Sequence, residues 1–437
     1  MIDIYSFSNL NVGMVKVLNV ALVGLGTIGS GVVEILLNNS KLIEKRTGVK
    51  IILKYVCDIN DKRAKELGVE KILVTDYKKI LADKEINAVI ELIGGYEPAR
   101  TIISDSISAG KHVVTANKAV IAKHGYELFA LAQENKVNIL FEASVCGCIP
   151  IIRTIEESYS SDNIQSIYGI VNGTTNFILT KMSEGMSYAE ALAKAQALGF
   201  AERDPSFDVE GKDAAQKLFI LASLAFDANF SSEPFTCGIT KLTKNDLDYA
   251  KDFGYAVKLL AIAKKSEKGV EFRVHPAMVS KSHVFANVSN EVNAVLLSGK
   301  NVGEIFLSGK GAGKLPTATV VVTDIIELGS RVRIAQRSFE QVEVIPFSQT
   351  LSRYFLRFNV LDEPGVLAAI SSVLGEEGVS LSAVEQKECV NGNKSIVPIV
   401  MLTHKTKEEN IARAITKCNS LAQVKEEVVM IRVEDFS

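Results

Sequence analysis

The sequence predicts a multidomain α/β protein: an N-terminal Rossmann-type dinucleotide-binding domain, a segregated α+β domain and a C-terminal ferredoxin-like domain. Three observations carry that prediction. A G-x-G-x-x-G turn joins an apolar strand to a helix. Short β-branched runs alternate with longer helical stretches from Lys16 to Leu140. After about residue 350 the order of elements is βαββαβ.

In the first domain, Val17–Val23, Ile51–Cys57, Ala88–Ile93, His112–Thr115 and Val137–Phe141 read as strands, with helices at Ile28–Leu37, Lys62–Leu67, Ala99–Ala109 and Tyr126–Glu134. That alternation implies βαβ units with right-handed crossovers and a parallel sheet. The texture changes near Pro150. Gln165–Val171, Gly269–Met278, Ala294–Ser298 and Gly303–Ser308 read as strands around helices at Tyr188–Leu198, Asp213–Phe226 and Lys244–Lys264. The stretch Leu328–Ser348 reads as a connector. The last domain has strands at Tyr354–Leu361, Leu381–Glu388, Ser395–Thr403 and Val428–Val433, with helices at Val366–Glu377 and Lys407–Asn419. The boundaries are an extension at 1–15, a dinucleotide-binding domain at 16–150 completed by a helix near 316–329, the α+β domain at 151–330, a linker at 331–349 and the final domain at 350–437. Met14 is an alternative start, and the short lead before the first strand leaves no room for a fused kinase domain.

Composition narrows the class. With 437 residues, 47% hydrophobic and 23% charged, the chain can bury several cores. A net charge of −2 offers no basic footprint for nucleic acid or an anionic membrane, and the apolar runs are too short to span a bilayer. The first residues lack the pattern of a signal peptide. The six cysteines, Cys57, Cys146, Cys148, Cys237, Cys389 and Cys418, are scattered, which fits reduced thiols in a cytoplasmic protein.

The cofactor turn is Val23-Gly24-Leu25-Gly26-Thr27-Ile28-Gly29. Gly24 permits the turn, Gly26 admits the pyrophosphate, and Gly29 lets helix and strand pack closely. The anion then sits on the N–H groups of the helix that begins near Thr27 and Ile28. Asp58 closes the second strand, where an acid grips the ribose 2′-hydroxyl of NAD. Lys62 and Arg63 follow and could take the 2′-phosphate of NADP, or form the solvated turn of a helix. The cofactor is therefore NADP or NAD. Asp58 lies further from the turn than the roughly 20 residues usual for this fold, so Asn38–Lys50 reads as an insertion.

One segment crowds acids and lysines: Glu202-Arg203-Asp204-Pro205-Ser206-Phe207-Asp208-Val209-Glu210-Gly211-Lys212-Asp213, followed by Lys217. Pro205 and Gly211 mark a loop, and Asp213 opens a helix. Asp213 and Lys217, four apart, share one helix face. The plain reading is an exposed ion pair worth a few tenths of a kcal/mol. The functional one makes Lys217 a proton donor to a carbonyl oxygen during hydride transfer, with Asp208 and Glu202 orienting a substrate ammonium group. The five histidines, His112, His124, His275, His283 and His404, have no partner spacing and read as structural or exposed.

These residues carry a family resemblance. VGLGTIGSGVV, ELIGG, HVVTANKA, FEASVCGCIPIIRT, YGIVNGTTNFILTKM, LGFAERDPSFDVEGKDAAQKLFILA and GKGAGKLPTATVVVTDI together resemble homoserine dehydrogenase from about Met14 onward. The resemblance implies NAD(P)H-dependent reduction of L-aspartate 4-semialdehyde to L-homoserine, on the way to threonine, methionine and isoleucine, and it implies that the α+β domain at 151–330 is catalytic and dimerising. It makes Lys217 the proton donor beside Asp213, Glu202 the ligand of the substrate amino group, Asp208 its supporting carboxylate, and Lys118 a second lysine between cofactor and substrate. It makes Gly173 and Thr174 substrate-contacting backbone, and puts Gly94 and Gly313 beside the cofactor. It also implies a monovalent cation, Na+ or K+, held mostly by backbone carbonyls of Glu142, Val145, Gly147 and Ile149. Cys146 and Cys148 stand where the family usually has small residues. The C-terminal unit resembles an ACT domain, with Asp362-Glu363-Pro364-Gly365 as its strand-to-helix turn; threonine is the implied feedback ligand, and edge-to-edge pairing implies a homodimer or homotetramer. Two rivals remain: another amino-acid dehydrogenase, which does not explain the Glu202–Lys217 segment, and a catalytically silent threonine-binding regulator, which would have no need of Asp213 and Lys217.

Overall fold

The computed structural model describes residues 15–330, 337–386 and 396–436. The extension at 1–13, part of the predicted linker and Cys389 lie outside them. The chain divides into two compact units. Of the described residues, the first combines 15–160, 223–229, 309–330 and 337–340; the second combines 161–222, 230–308, 341–386 and 396–436.

The first unit is built on six parallel strands: β1 Lys16–Val23, β2 Val49–Cys57, β3 Leu73–Val74, β4 Ala88–Glu91, β5 His112–Thr115 and β6 Ile139–Leu140, in the order β3-β2-β1-β4-β5-β6. This is the doubly wound order, and its switch point between β1 and β4 is where such sheets bind ligands. Val20, Ala21 and Leu22 of β1 are wholly buried on both faces, as helices on both sides of a parallel sheet require. The helix Lys314–Ser330 returns from late in the chain and packs on the helix Thr27–Thr47, adding Ala318, Val321, Val322 and Ile325 to the core of β1 and β2. The first helix is longer than its pattern suggested. It runs to Thr47 before Gly48 ends it in a left-handed conformation, so most of the stretch read as an insertion, Asn38–Thr47, is helical, and this accounts for the late position of Asp58.

The second unit holds one mixed sheet. Its strands are β7 Ile164–Ile170, β8 Phe235–Thr236, β9 Tyr255–Ser266, β10 Gly269–Ser280, β11 Val292–Gly299, β12 Gly303–Lys310, β13 Leu351–Leu361, β14 Leu381–Gln386, β15 Ile396–Thr403 and β16 Val429–Glu434. The path through it is β12-β11-β7-β9-β10-β16-β13-β15-β14, with β8 alongside β10. One prediction fails here. Lys244–Lys264 is not one helix: the helix stops at Asp252, Gly254 adopts φ +82°, and β9 pairs with β10 over its whole length. Val257 to Ala263 is buried throughout and apolar apart from Lys258, and so short an apolar stretch carries no periodicity that separates strand from helix.

The last four long strands take the order β16-β13-β15-β14, and with helices Val366–Glu376 and Glu408–Asn419 they form a ferredoxin-like βαββαβ unit around Tyr354, Leu356, Phe358, Ile370 and Ile411. Its edge strand β16 is not left open. Ala277, Met278 and Val279 of β10 pair in parallel with Arg432, Val433 and Glu434, so the C-terminal unit continues the sheet of the middle one. No helix among the described residues is long and apolar enough to cross a membrane.

Candidate active site

In the first unit, the turn after β1 has the geometry its glycines demand. Gly24 sits at φ +102°, and a Cβ there would lie 2.8 Å from the Leu92 carbonyl. A Cβ on Gly29 would fall 1.9 Å from the Gly24 oxygen, so neither position admits a side chain. Gly26 by contrast faces open space. It caps the helix Thr27–Thr47 without a side-chain bond, and no acid lies in the first turn. The N–H groups and positive dipole end are thus presented to an anion. Asp58 lies at this turn, where its Oδ2 accepts the Leu25 N–H at 2.6 Å. Arg63, on an exposed helix turn, donates to the Leu25 carbonyl at 3.1 Å. Both candidate discriminators of the cofactor ribose therefore meet at Leu25.

The ELIGG segment contains a residue whose role sequence reasoning missed. Glu91 is fully buried at the end of β4. One carboxylate oxygen accepts the Ile93 and Gly94 N–H groups at 2.8 and 3.4 Å, and the other accepts the Thr115 hydroxyl at 2.7 Å. Asn117 then receives its direction from both neighbours: its N–H donates to Thr115 Oγ1 at 3.0 Å and its Nδ2 to the Gly95 carbonyl at 2.8 Å. Asn117 caps the helix Lys118–Glu134, so Lys118 stands at the first position of a helix whose start is tied to Gly94 and Gly95. The available signal was an acid inside an otherwise apolar strand, followed by two glycines.

The segment proposed for a cation forms a buried turn in the same unit. Cys146 and Gly147 both take left-handed conformations, at φ +56° and +59°. The Glu142 carboxylate is already engaged, accepting the Ile152 and Arg153 N–H groups at 2.8 Å each. Burial pushes its carboxyl up to about 7. No cluster of three His, Cys, Asp or Glu side chains that could hold a metal occurs among the described residues. Any cation here would rest on main-chain carbonyls, which are hard oxygen donors with two lone pairs each. Gly313, at φ +131°, precedes the helix Lys314–Ser330.

The second unit assembles the acidic loop. Lys217 and Asp213 form an ion pair at 2.8 Å with side-chain exposures of only 12% and 6%, which removes the exposed-pair reading. Lys217 Nζ also donates to the Val171 carbonyl at 2.8 Å. Asp208 sits on a short helix, Ser206–Val209, inside the predicted loop. Between the two acids stands Asn172, whose Nδ2 donates to Asp208 Oδ1 at 2.7 Å and to Asp213 Oδ2 at 2.8 Å. Its Oδ1 accepts the Thr175 N–H and caps the helix Gly173–Ser183. Sequence spacing does not reveal this bridge, because the acids lie far along the chain from Asn172. Burial raises the Asp208 carboxyl above its ordinary value, against the Asn172 bond.

Gly173 and Thr174 begin that helix beside Asn172, and Thr174 Oγ1 donates to the Phe200 carbonyl at 2.6 Å. Glu202 stands apart from this network. Its side chain is exposed, and its carbonyl accepts from Gln196 Nε2 at 3.1 Å. The histidines have structural surroundings: His275 is wholly buried in β10, His112 Nδ1 accepts the Asn138 N–H at 2.9 Å, and His283 stacks on Phe436.

Comparison with known proteins places the chain's three parts in one family. The family model for the homoserine dehydrogenase NAD-binding domain matches residues 24–142, that for homoserine dehydrogenase matches 150–326, and that for the ACT domain matches 354–422. A homoserine dehydrogenase of Neisseria gonorrhoeae is 40% identical over 96% of this chain and 99% of its own length. One from Bacillus subtilis is 41% identical over 96% and 99%. A solved homoserine dehydrogenase from Thiobacillus denitrificans superposes with a TM-score of 0.89 at 39% identity, covering 97% of this chain and 99% of its own. A hyperthermophilic archaeal homoserine dehydrogenase in complex with NADPH has a TM-score of 0.60 at 28% identity over 71% of this chain and 97% of its own.

Proposed function

Because the chain belongs to the homoserine dehydrogenase family, an NAD(P)-dependent class of oxidoreductase, we propose that it interconverts L-aspartate 4-semialdehyde and L-homoserine by the chemistry of the Lys217 network. The observation that carries this reading is the buried lysine held between Asp213 and the Val171 carbonyl. Bound NAD(P)H supplies the hydride. Lys217 Nζ gives a proton to the aldehyde oxygen as the carbonyl carbon is reduced, so that oxygen becomes the hydroxyl of the alcohol and stays on its carbon. Asp213 keeps the ammonium in place, and Asp208 and Glu202 face the substrate ammonium with negative charge. Gly173 and Thr174 present main chain at the same end of a helix. Lys118, held through Asn117 and Glu91, is the second lysine of the reaction. The glycine turn holds the pyrophosphate, with Gly94 and Gly313 toward the nicotinamide end. The cofactor is NADP or NAD, with Asp58 and Arg63, both bonded to Leu25, beside its ribose. The carbonyls of Glu142, Val145, Gly147 and Ile149 would hold Na+ or K+, which orders the turn rather than entering the reaction.

Threonine is the proposed ligand of the ACT domain. Gly365 at φ +91° starts the helix Val366–Glu376 with no side-chain cap, and backbone amides at that end suit an amino-acid carboxylate. The assembly read here is a homodimer or homotetramer in the cytoplasm, acting in threonine, methionine and isoleucine synthesis.

Purified protein tests the reading by NAD(P)H oxidation with aspartate 4-semialdehyde, with and without threonine. Absence of turnover sinks the enzymatic proposal; turnover indifferent to threonine sinks only the regulatory one. Lys217→Ala is expected to bind NADPH normally while kcat falls on the order of a hundredfold or more, and near-normal turnover would remove Lys217 from its role.

A further inference from the structure

Strands β7 and β11 run antiparallel, with Val295 opposite Gly169 and Ala294 opposite Ile170. One step further along that register brings Asn293 to Val171, where β7 gives way to Asn172 and Gly173. Asn293 is fully buried. Its Nδ2 donates to the Val171 carbonyl at 3.0 Å, the same oxygen that accepts Lys217 Nζ at 2.8 Å. Its own Oδ1 has no hydrogen-bond partner among the described residues. A buried acceptor left unmet is a standing cost to the fold. On a strand whose next four residues, Ala294 to Leu297, are buried and apolar, leucine of similar size would avoid that cost. The amide is therefore explained by what its donor half does.

We propose that Asn293 is a positioning residue for the Lys217 ammonium, acting through the Val171 carbonyl that both groups share. A lysine side chain has four rotatable bonds and a point charge that selects no plane. Its direction must come from the acceptors around it. Asp213 supplies one from the same helix; the Val171 carbonyl supplies the other from a strand end, where ladder bonds no longer fix the peptide plane. Asn293 pins that plane from the neighbouring strand. The peptide it fixes is also the one that leads into Asn172, so the bridge between Asp208 and Asp213 shares the same anchor. Gly173 leaves room for this close approach: a Cβ there would stand 2.7 Å from the Glu291 carbonyl oxygen and 3.5 Å from Asn293 Oδ1.

The inference rests on the reading of Lys217 as proton donor, and a double-mutant cycle separates the two. In Asn293→Leu, kcat for aspartate 4-semialdehyde is expected to fall on the order of tenfold to a hundredfold, the range that misplacing a reacting group produces, with the Kd for NADPH unchanged. On a Lys217→Ala background the same substitution should change the residual kcat by less than about twofold, because residues acting as one unit do not add. Equal losses on both backgrounds, or full kcat in Asn293→Leu, would overturn the proposal and leave Asn293 a packing residue. Normal turnover in Lys217→Ala alone would overturn the donor reading instead, and this inference with it. Should Asn293→Leu not fold, Asn293→Thr, which suits a strand and is too short to reach the carbonyl, is measured in the same cycle.

Discussion

At Asp208 a carboxylate is held between opposing influences: burial prevails, and Asn172 limits its effect. Burial, with the nearby Asp213 charge, raises the Asp208 carboxyl above its ordinary value of 3.8, while the Asn172 amide and the Lys217 charge pull it down. Protonation therefore persists to higher pH in the folded protein. The resulting contribution to stability is present at low pH and lost as pH rises through the raised value. If ionised Asp208 is needed to face the substrate ammonium, the acid limb of kcat/KM lies above 3.8. Asn172→Ala deletes the largest stabilising partner of the carboxylate, so that limb is expected to move further up. A pH series of kcat/KM checks this, and an unmoved limb would detach Asp208 from substrate binding. The same variant also removes a helix cap, which costs about 0.5–2 kcal/mol in stability, visible in urea unfolding.

Among elements, the strand-to-turn segment of β4 shows how one buried acid organises the backbone proposed to meet the cofactor. Glu91 satisfies two N–H groups and one hydroxyl inside the first unit. Glu91→Ala would leave the buried Thr115 hydroxyl without its acceptor, costing roughly 1–3 kcal/mol, and would release the Ile93 and Gly94 N–H groups at the exposed turn. The turn at Gly94 and Gly95 loosens with it, and with that turn the start of the helix bearing Lys118. Reduced stability is expected together with a weaker Kd for NADPH, read by fluorescence titration. A variant that loses stability but keeps its Kd would confine Glu91 to the fold. The β9 strand belongs to this scale as well. Its residues suit helix or strand equally, and only the partner β10 makes the choice; Gly254 marks the break between helix and strand.

Within the second unit as a whole, the chain's last strand is spliced into a sheet begun far earlier. Glu434 lies between Arg273 at 3.0 Å and Lys264 at 2.8 Å, nearly out of water. Burial alone would raise its carboxyl, but the two cations outweigh burial and hold it below its ordinary 4.5. A depressed acid contributes stability above its unfolded value and loses it as pH falls through the folded one. Glu434→Gln should therefore flatten part of the acid unfolding curve. At neutral pH, Arg273 keeps its pair with Glu271 at 2.7 Å, so losing Glu434 is expected to cost less than the roughly 3–5 kcal/mol of a buried charge left wholly unpaired, with a lower unfolding midpoint as the readout. Equal unfolding midpoints for the variant and the parent protein at pH 7 would mean the splice carries no such weight. Phe436, stacked between Tyr168, His283 and Phe285, anchors the end beyond the strand.

What the sequence by itself determined is whatever a short stretch of chain encodes through spacing. The glycine turn with its flanking strand and helix, the i, i+4 pair of Asp213 and Lys217, the three-part α/β organisation and the βαββαβ order of the last unit are all of that kind, because hydrophobic period and turn chemistry act within a few residues. The tertiary structure decided whatever depends on meetings across the chain. Asn172 reaches Asp208 and Asp213, and Asn293 meets Lys217 at one carbonyl, through a β-register invisible to spacing. Glu91 looks like an anomaly in an apolar strand until Thr115 and the Gly94 turn surround it, and Glu202 remains exposed despite belonging to the same crowded segment. The splice of β16 onto β10 follows the same rule. An edge strand carries unpaired N–H and C=O groups that accept any compatible neighbour, so its own residues cannot specify which strand that will be.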